Sequence, residues 1–174
     1  MKKILVLCVL ISHVIIGQDT YTARTEGFSS IIKDIKSKYK YLLIYNVNLY
    51  QNSYSSGVSV EIEYRSTSDK VIKYIDFYLT PYNEVGDSVN CSITHLTSKN
   101  LRVTGPLQPF NFNAYNQENN VSAWKNVWYN STISCVKLNK IVITFIDNTK
   151  VILIKNIANT LGDGVKNNCS YHPD

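Results

Sequence analysis

VIKYIDFYLTPYNEVGD, residues 71–87, is the stretch whose reading decides the fold, and VNCSITH, residues 89–95, follows almost at once. Ile75, Phe77 and Leu79 share one parity, while Tyr74, Asp76, Tyr78 and Thr80 take the other. That is the period-two pattern of a strand with one buried and one wetter face. Pro81 supplies a fixed φ, Asn83 and Gly86 tolerate positive φ, and Asp87 can bond nearby backbone N–H groups. Together they predict a reversal into a second strand carrying Val89, Cys91 and Ile93, a hairpin inside an all-β domain.

Working outward, the clearest strand lies upstream, where Val58, Val60, Ile62 and Tyr64 alternate with Ser59, Glu61, Glu63 and Arg65. Before it, residues 41–50 are rich in aromatic and β-branched side chains, and the polar cluster 51–57 breaks the run. Downstream, Leu101 and Val103 form a brief extended piece ended by Gly105 and Pro106, and residues 109–124 read as a loop. Val127, Tyr129, Ile133 and Cys135 fit one parity of a further strand. Residues 141–146 and 151–154 are two more, joined by a turn over Asp147, Asn148, Thr149 and Lys150. Short strands separated by turn signals, without alternating long helices, predict an antiparallel sandwich of about seven strands. Its expected core holds Val60, Ile62, Ile75, Phe77, Ile93, Ile133, Ile143 and Phe145.

The amino terminus reads as a secretory signal peptide over residues 1–17. Lys2 and Lys3 precede an apolar run from Ile4 to Ile16, and Gly17 offers a small residue for cleavage. Cys8 lies in the middle of that run, poorly placed for a lipid anchor, and no later stretch has the roughly 18 apolar residues that a membrane-spanning helix needs. The expected location is secreted or periplasmic. Losing both leader lysines takes the 18 basic residues to 16 against 13 acidic ones, a net charge of +3 with no basic stripe, so nucleic acid is not an expected partner. The 13 tyrosines fit half-buried pleated surfaces, with an aromatic ligand-binding face as the competing reading.

Residues 18–40 are expected to form an N-terminal helical segment. Phe28, Ile31, Ile32 and Ile35 make a helix stripe within residues 25–38, and Lys33, Asp34, Lys36 and Lys38 lie opposite. The sandwich is assigned to residues 41–157, and the polar stretch 158–174 is expected to fray.

The phrases STSDKVIKYIDFYLTPYNEVGD (66–87), LRVTGPLQP (101–109) and WKNVWYNSTISCVKLNKIVITFIDN (124–148) resemble small immunoglobulin-like domains of exported bacterial proteins, of the FxLYD type. The resemblance covers residues 66–154. It implies an immunoglobulin-like sandwich and carries no catalytic residue. At the last turn Asn148 stands where that pattern has Gly, a change the turn tolerates because asparagine also enters the left-handed region. The leader ending Gly17-Gln18 is similar to those of Bacteroidetes-type bacteria.

Outside the leader the cysteines are Cys91, Cys135 and Cys169. Cys91 and Cys135 share core-facing parity on predicted strands, so in an oxidising compartment their pairing is the natural disulfide, contributing about 4 kcal/mol in the chain-entropy model. Two buried free thiols are the competing reading. Cys169 is then a free thiol, an intermolecular link, or the true partner of one of the others. No metal or cofactor is expected, because the remaining histidines are His95 and His172 and no Cys-x-x-Cys occurs. No nucleophile elbow is present, and Glu61 and Glu63 read as a solvated strand face. Sequons begin at Asn90, Asn120, Asn130 and Asn168; they would mark glycans on surface loops in a eukaryotic or viral secreted protein, and chance in a chain this rich in asparagine is the favoured reading.

The functional expectation is an exported, non-enzymatic binding or structural module whose partner is an envelope protein or glycan. Its contacts would come from Phe110, Phe112, Tyr115, Trp124 and Trp128 in an aromatic loop, since long loops on a rigid sandwich suit surface recognition. The alternative is a secreted hydrolase acting on glycans with loop carboxylates.

Overall fold

The structure, a computed structural model, describes residues 33–52, 54–109, 119–163, 165 and 169. The leader (1–17), residues 18–32, Phe110, Phe112, Tyr115, His172 and the sequon residue Asn168 lie outside the described residues. Residues 33–38 are helical.

The described residues form seven strands: β1 (Leu42–Gln51), β2 (Gly57–Ser66), β3 (Ile72–Tyr82), β4 (Lys99–Leu107), β5 (Asn120–Tyr129), β6 (Cys135–Phe145) and β7 (Lys150–Leu153). They make two antiparallel sheets, β1-β2-β5 and β4-β3-β6-β7. Alternation does what the sequence predicts. Val58, Val60, Ile62 and Tyr64 of β2 and Ile75, Phe77 and Leu79 of β3 are at most 1% exposed. The Phe77 ring lies 5.8 Å from Tyr64 and 6.3 Å from Trp124, both on the other sheet, so the two inner faces share one core. Each such buried side chain contributes about 1.5–3 kcal/mol.

Of the predicted core, Val60, Ile62, Ile75, Phe77, Ile133, Ile143 and Phe145 are buried, and Ile93 is 63% exposed. The expected second strand through Val89, Cys91 and Ile93 is corrected with it. The reversal after Pro81 does form, with Gly86 at φ 89° and a bridge between Tyr82 and Ser88. The chain then bends through a turn at residues 92–94. β6 pairs with β3 along its length and β4 takes the other edge from Ile72 to Leu79, so after the turn only Ser88 and Val89 find places, beside Tyr82 and Pro81, and the ladder goes no further.

The single strand expected over residues 127–135 is two strands in different sheets. Between them the Asn130 side-chain oxygen accepts the Thr132 N–H at 2.9 Å and its hydroxyl at 2.8 Å, an Asx turn that carries the chain from β5 to β6. The loop expected over residues 109–124 is likewise corrected, since β5 starts at Asn120 and pairs with β2. The hairpin between β6 and β7 is as expected: Phe145 N–H donates to Thr149 O at 3.0 Å, and Asn148 takes φ 62°.

Cys135 is bonded to Cys169, with Cα atoms 5.5 Å apart, and Cys91 is a buried free thiol. This corrects the Cys91–Cys135 pairing, which presumed a strand at Cys91. The bond also corrects the picture of a tail fraying from residue 158. Residues 157–160 form a 3-10 turn, Leu161 bridges Ile44 in parallel, and Gly162 N–H donates to Ile44 O at 2.8 Å. Cys169 is itself buried.

Candidate functional site

Three connections meet at one end of the sheets: β1–β2, the loop after β3, and β5–β6. Each is shaped by its own turn residues. Asn52 accepts the Tyr54 N–H on its side-chain oxygen at 2.9 Å, while Asn52 N–H donates to Gly57 O at 2.9 Å. A Cβ at Gly57 would press on the Asn126 side-chain oxygen, which would have to turn aside. Asn83 folds the second loop by accepting Asp87 N–H at 2.8 Å. The three are then tied together by backbone bonds: Asn130 N–H to Ser56 O at 2.8 Å and Ser134 N–H to Tyr82 O at 2.9 Å. Gln51 adds a side-chain bond from Nε2 to Ser131 O at 2.8 Å. Loops braced in this way reach a ligand already ordered, which lowers the entropy lost on binding.

Between them lie two neighbouring open clefts. The larger, about 620 Å³, has Leu49, Val58 and Ile133 as its floor and Asn83, Glu84, Val85 and residues 131–134 as walls. The second, about 510 Å³, shares Gln51 and Ser131 with it and is otherwise lined by Asn52, Tyr54, Ser55 and Ser56. Val58 and Ile133 are only 1% and 7% exposed, so the apolar surface of the cleft comes mainly from half-buried Leu49 and from Val85. Tyr54 and Val85, at 99% and 77%, stand out on the rim. Among these lining residues Glu84 is the one carboxylate, and none is a histidine, cysteine, lysine or arginine. Among the described residues no three His, Cys, Asp or Glu side chains come together in a way that could hold a metal ion.

The sequence-predicted site residues fall elsewhere. Trp124 and Trp128 belong to β5 rather than to a loop. Trp128 is fully buried and donates from Nε1 to Thr97 O at 2.8 Å, and Trp124 packs edge-on against Phe77. Trp128 is therefore part of the core rather than of a binding surface, while Trp124 stays half-buried on β5. His95 takes φ 56° in the turn after Cys91 and lines neither cleft. Glu61 accepts bonds from Asn48 at 3.3 Å and Tyr50 at 3.1 Å, and Glu63 accepts one from Asn119. Asp76, buried on β3, is clamped by Arg102 through bonds of 2.8 and 3.0 Å, an ion pair that stiffens the outer face of its sheet. The sequon side chains of Asn90 and Asn130 are engaged with Thr97 and Thr132. Sequence reasoning missed the clefts because residues 51–57, 83–87 and 130–134 registered only as turn formers. The cluster of asparagine and serine around a lone Tyr54 was the available signal.

Cys91 sits under the end of β5. Burial pushes its thiol up, and hydrogen bonds from Thr94, Tyr129 and Ile93 outweigh that and bring it down from 9.0 to about 7. A depressed acid pKa makes a stabilising contribution that is complete above the unfolded value, about pH 9, and lost as pH falls through 7. Urea midpoints of the intact chain are therefore expected to rise between pH 6 and pH 9 more than those of Cys91→Ala. Equal pH profiles would show that the thiol does not titrate there.

No protein-family model matches this chain, and no curated protein matches it. Among solved structures it is similar to IrmA from Escherichia coli, with a TM-score of 0.46 and 10% identity over 76% of this chain and 94% of that one. A likeness of that degree carries no argument.

Proposed function

We propose that this protein is an exported, non-catalytic recognition module of the cell envelope or extracellular space. The leader-like residues 1–17 support export. An immunoglobulin-like sandwich is part of the same reading. It is supported by the three-on-four strand order, in which the chain passes between sheets after β2, β4 and β5. The likeness to FxLYD-type domains and an amphipathic helix over residues 25–38 belong to the same proposal and rest on the sequence.

The observation that carries the recognition role is the braced pair of clefts. They offer amides, hydroxyls and a rim aromatic, and among the described residues their lining has one carboxylate and no histidine, where acid–base or nucleophilic chemistry would use a second such group. Protein without its leader, immobilised and exposed to envelope extract, is expected to retain a component that Val85→Arg and Ser131→Arg variants release. Their melting temperatures should stay within about 3 °C, since surface substitutions change stability by about 0.5 kcal/mol or less. Retention unchanged by both variants would move the site elsewhere. Glycan cleavage abolished by Glu84→Gln would establish the hydrolase alternative instead.

A further inference from the structure

We infer that these clefts bind a neutral oligosaccharide, a ligand class that rests on the recognition role proposed above. Three side-chain amides at the site are each half used. Gln51 spends its nitrogen on Ser131 O, Asn52 its oxygen on Tyr54 N–H, and Asn83 its oxygen on Asp87 N–H. Among the described residues the hydrogen bonds leave over the Gln51 oxygen and the Asn52 and Asn83 nitrogens. One acceptor and two NH₂ donors thus stand on groups whose orientation the backbone already holds. Serine hydroxyls of the two turns and the Glu84 carboxylate add further partners.

That inventory selects among ligands. A phosphate or another anion needs cationic partners, and among the described residues no lysine, arginine or histidine lines either cleft. A protein hot spot needs an enclosed apolar or aromatic pocket, whereas here Val58 and Ile133 are 1% and 7% exposed and the apolar surface comes from half-buried Leu49 and from Val85 on the open rim. A sugar ring presents hydroxyls at its edge and C–H groups on its face. The edge matches pinned amides and hydroxyls. The face matches Tyr54, whose ring is 99% exposed on the rim with its flat surface open. The two clefts, 620 and 510 Å³, each lie within the roughly 300–1,000 Å³ of small-ligand sites, and they adjoin through Gln51 and Ser131. Two subsites in a row suit a chain of sugars better than a single ring.

The test is titration of the leaderless chain with cellohexaose, xylohexaose, maltohexaose and N-acetylchitohexaose, followed by amide chemical shifts. At least one hexasaccharide is expected to bind with a Kd of about 1 mM or below. Its shifts should be confined to residues 51–56, 83–85 and 131–134. Tyr54→Ala should weaken it about tenfold, with Tyr54→Trp within about threefold of wild type. Absence of shifts with all four sugars at about 10 mM, or shifts mapping outside those loops, overturns the assignment. Capture from envelope extract that survives periodate oxidation but not protease treatment also overturns the sugar, and leaves the recognition role standing.

Discussion

Trp128→Ala is expected to lower the unfolding free energy by about 4 kcal/mol, the largest effect of any single substitution considered for this chain. Trp128 is fully buried at the end of β5 among residues of both sheets, so truncation removes its apolar contacts and leaves a cavity that rigid strands cannot close. It also strands a carbonyl. The indole Nε1 donates to Thr97 O at 2.8 Å and so holds the connection between β3 and β4 against the sandwich. Trp128→Phe keeps most of the burial and loses that bond, so a loss of about 1–2 kcal/mol is expected. In a thermal melt the alanine variant should fall by about 10–15 °C. If it fails to fold, the phenylalanine variant still reports the bond. A loss below about 1 kcal/mol for Trp128→Ala would return the residue to the surface role that the sequence suggests.

The second large effect is expected at the disulfide. Cys135 and Cys169 are separated by 34 residues, and closing a loop of that length restricts the unfolded chain by about 4 kcal/mol in the entropy model. Cys169→Ser, Cys135→Ser or reduction should each remove most of it, and the three should not add, because they break the same bond. The bond also fixes the geometry of the cleft end, since Cys135 opens β6 directly after the Asn130–Ser134 turn and pairs in register with Tyr82. Peptide mapping without reductant is expected to recover Cys135 linked to Cys169 and Cys91 free. Recovery of a Cys91–Cys135 peptide would reverse the assignment.

The sequence placed Trp128 in a binding loop and paired Cys135 with Cys91, leaving Cys169 as an open alternative, and the reason is the same for both. Trp128 follows Val127 in a stretch whose polar neighbours Ser122, Lys125 and Asn126 give no clean alternation. The strand there is irregular as well: the register against β2 shifts between Val58 and Val60, with Asn126 at φ 52°. A period-two reading loses its phase across such a bulge. Cys91 carried the right parity for a core position and is indeed buried, yet in a turn rather than a strand. Burial was therefore legible at that residue, while the choice among the three cysteines was not. At the candidate site, the turn chemistry of Asn83, Gly86 and Asn130 could be read from the chain. That these turns converge could not, because 47 positions separate Asn83 from Asn130 and only the stacking of two sheets brings their loops together.

What the sequence by itself determined was whatever depends on neighbours a few residues apart. That covers the buried faces of β2 and β3, the hairpin between β6 and β7 with Asn148 in the left-handed region, and the all-β, antiparallel class. Side-chain alternation and turn conformations are local properties, and they survive into the fold because the core is built from them. The tertiary structure alone decided which strand edges were free, which sheet each strand joined, and which cysteines met. Because β3 is flanked by both β4 and β6, residues 89–95 became a loop. Because β5 and β6 lie in different sheets, residues 130–134 became a crossover, and the same crossover brings Ser131 to Gln51 and closes one wall of the clefts. Those outcomes depend on competition between segments dozens of residues apart for the same hydrogen-bonding edge, and no window along the chain contains both competitors.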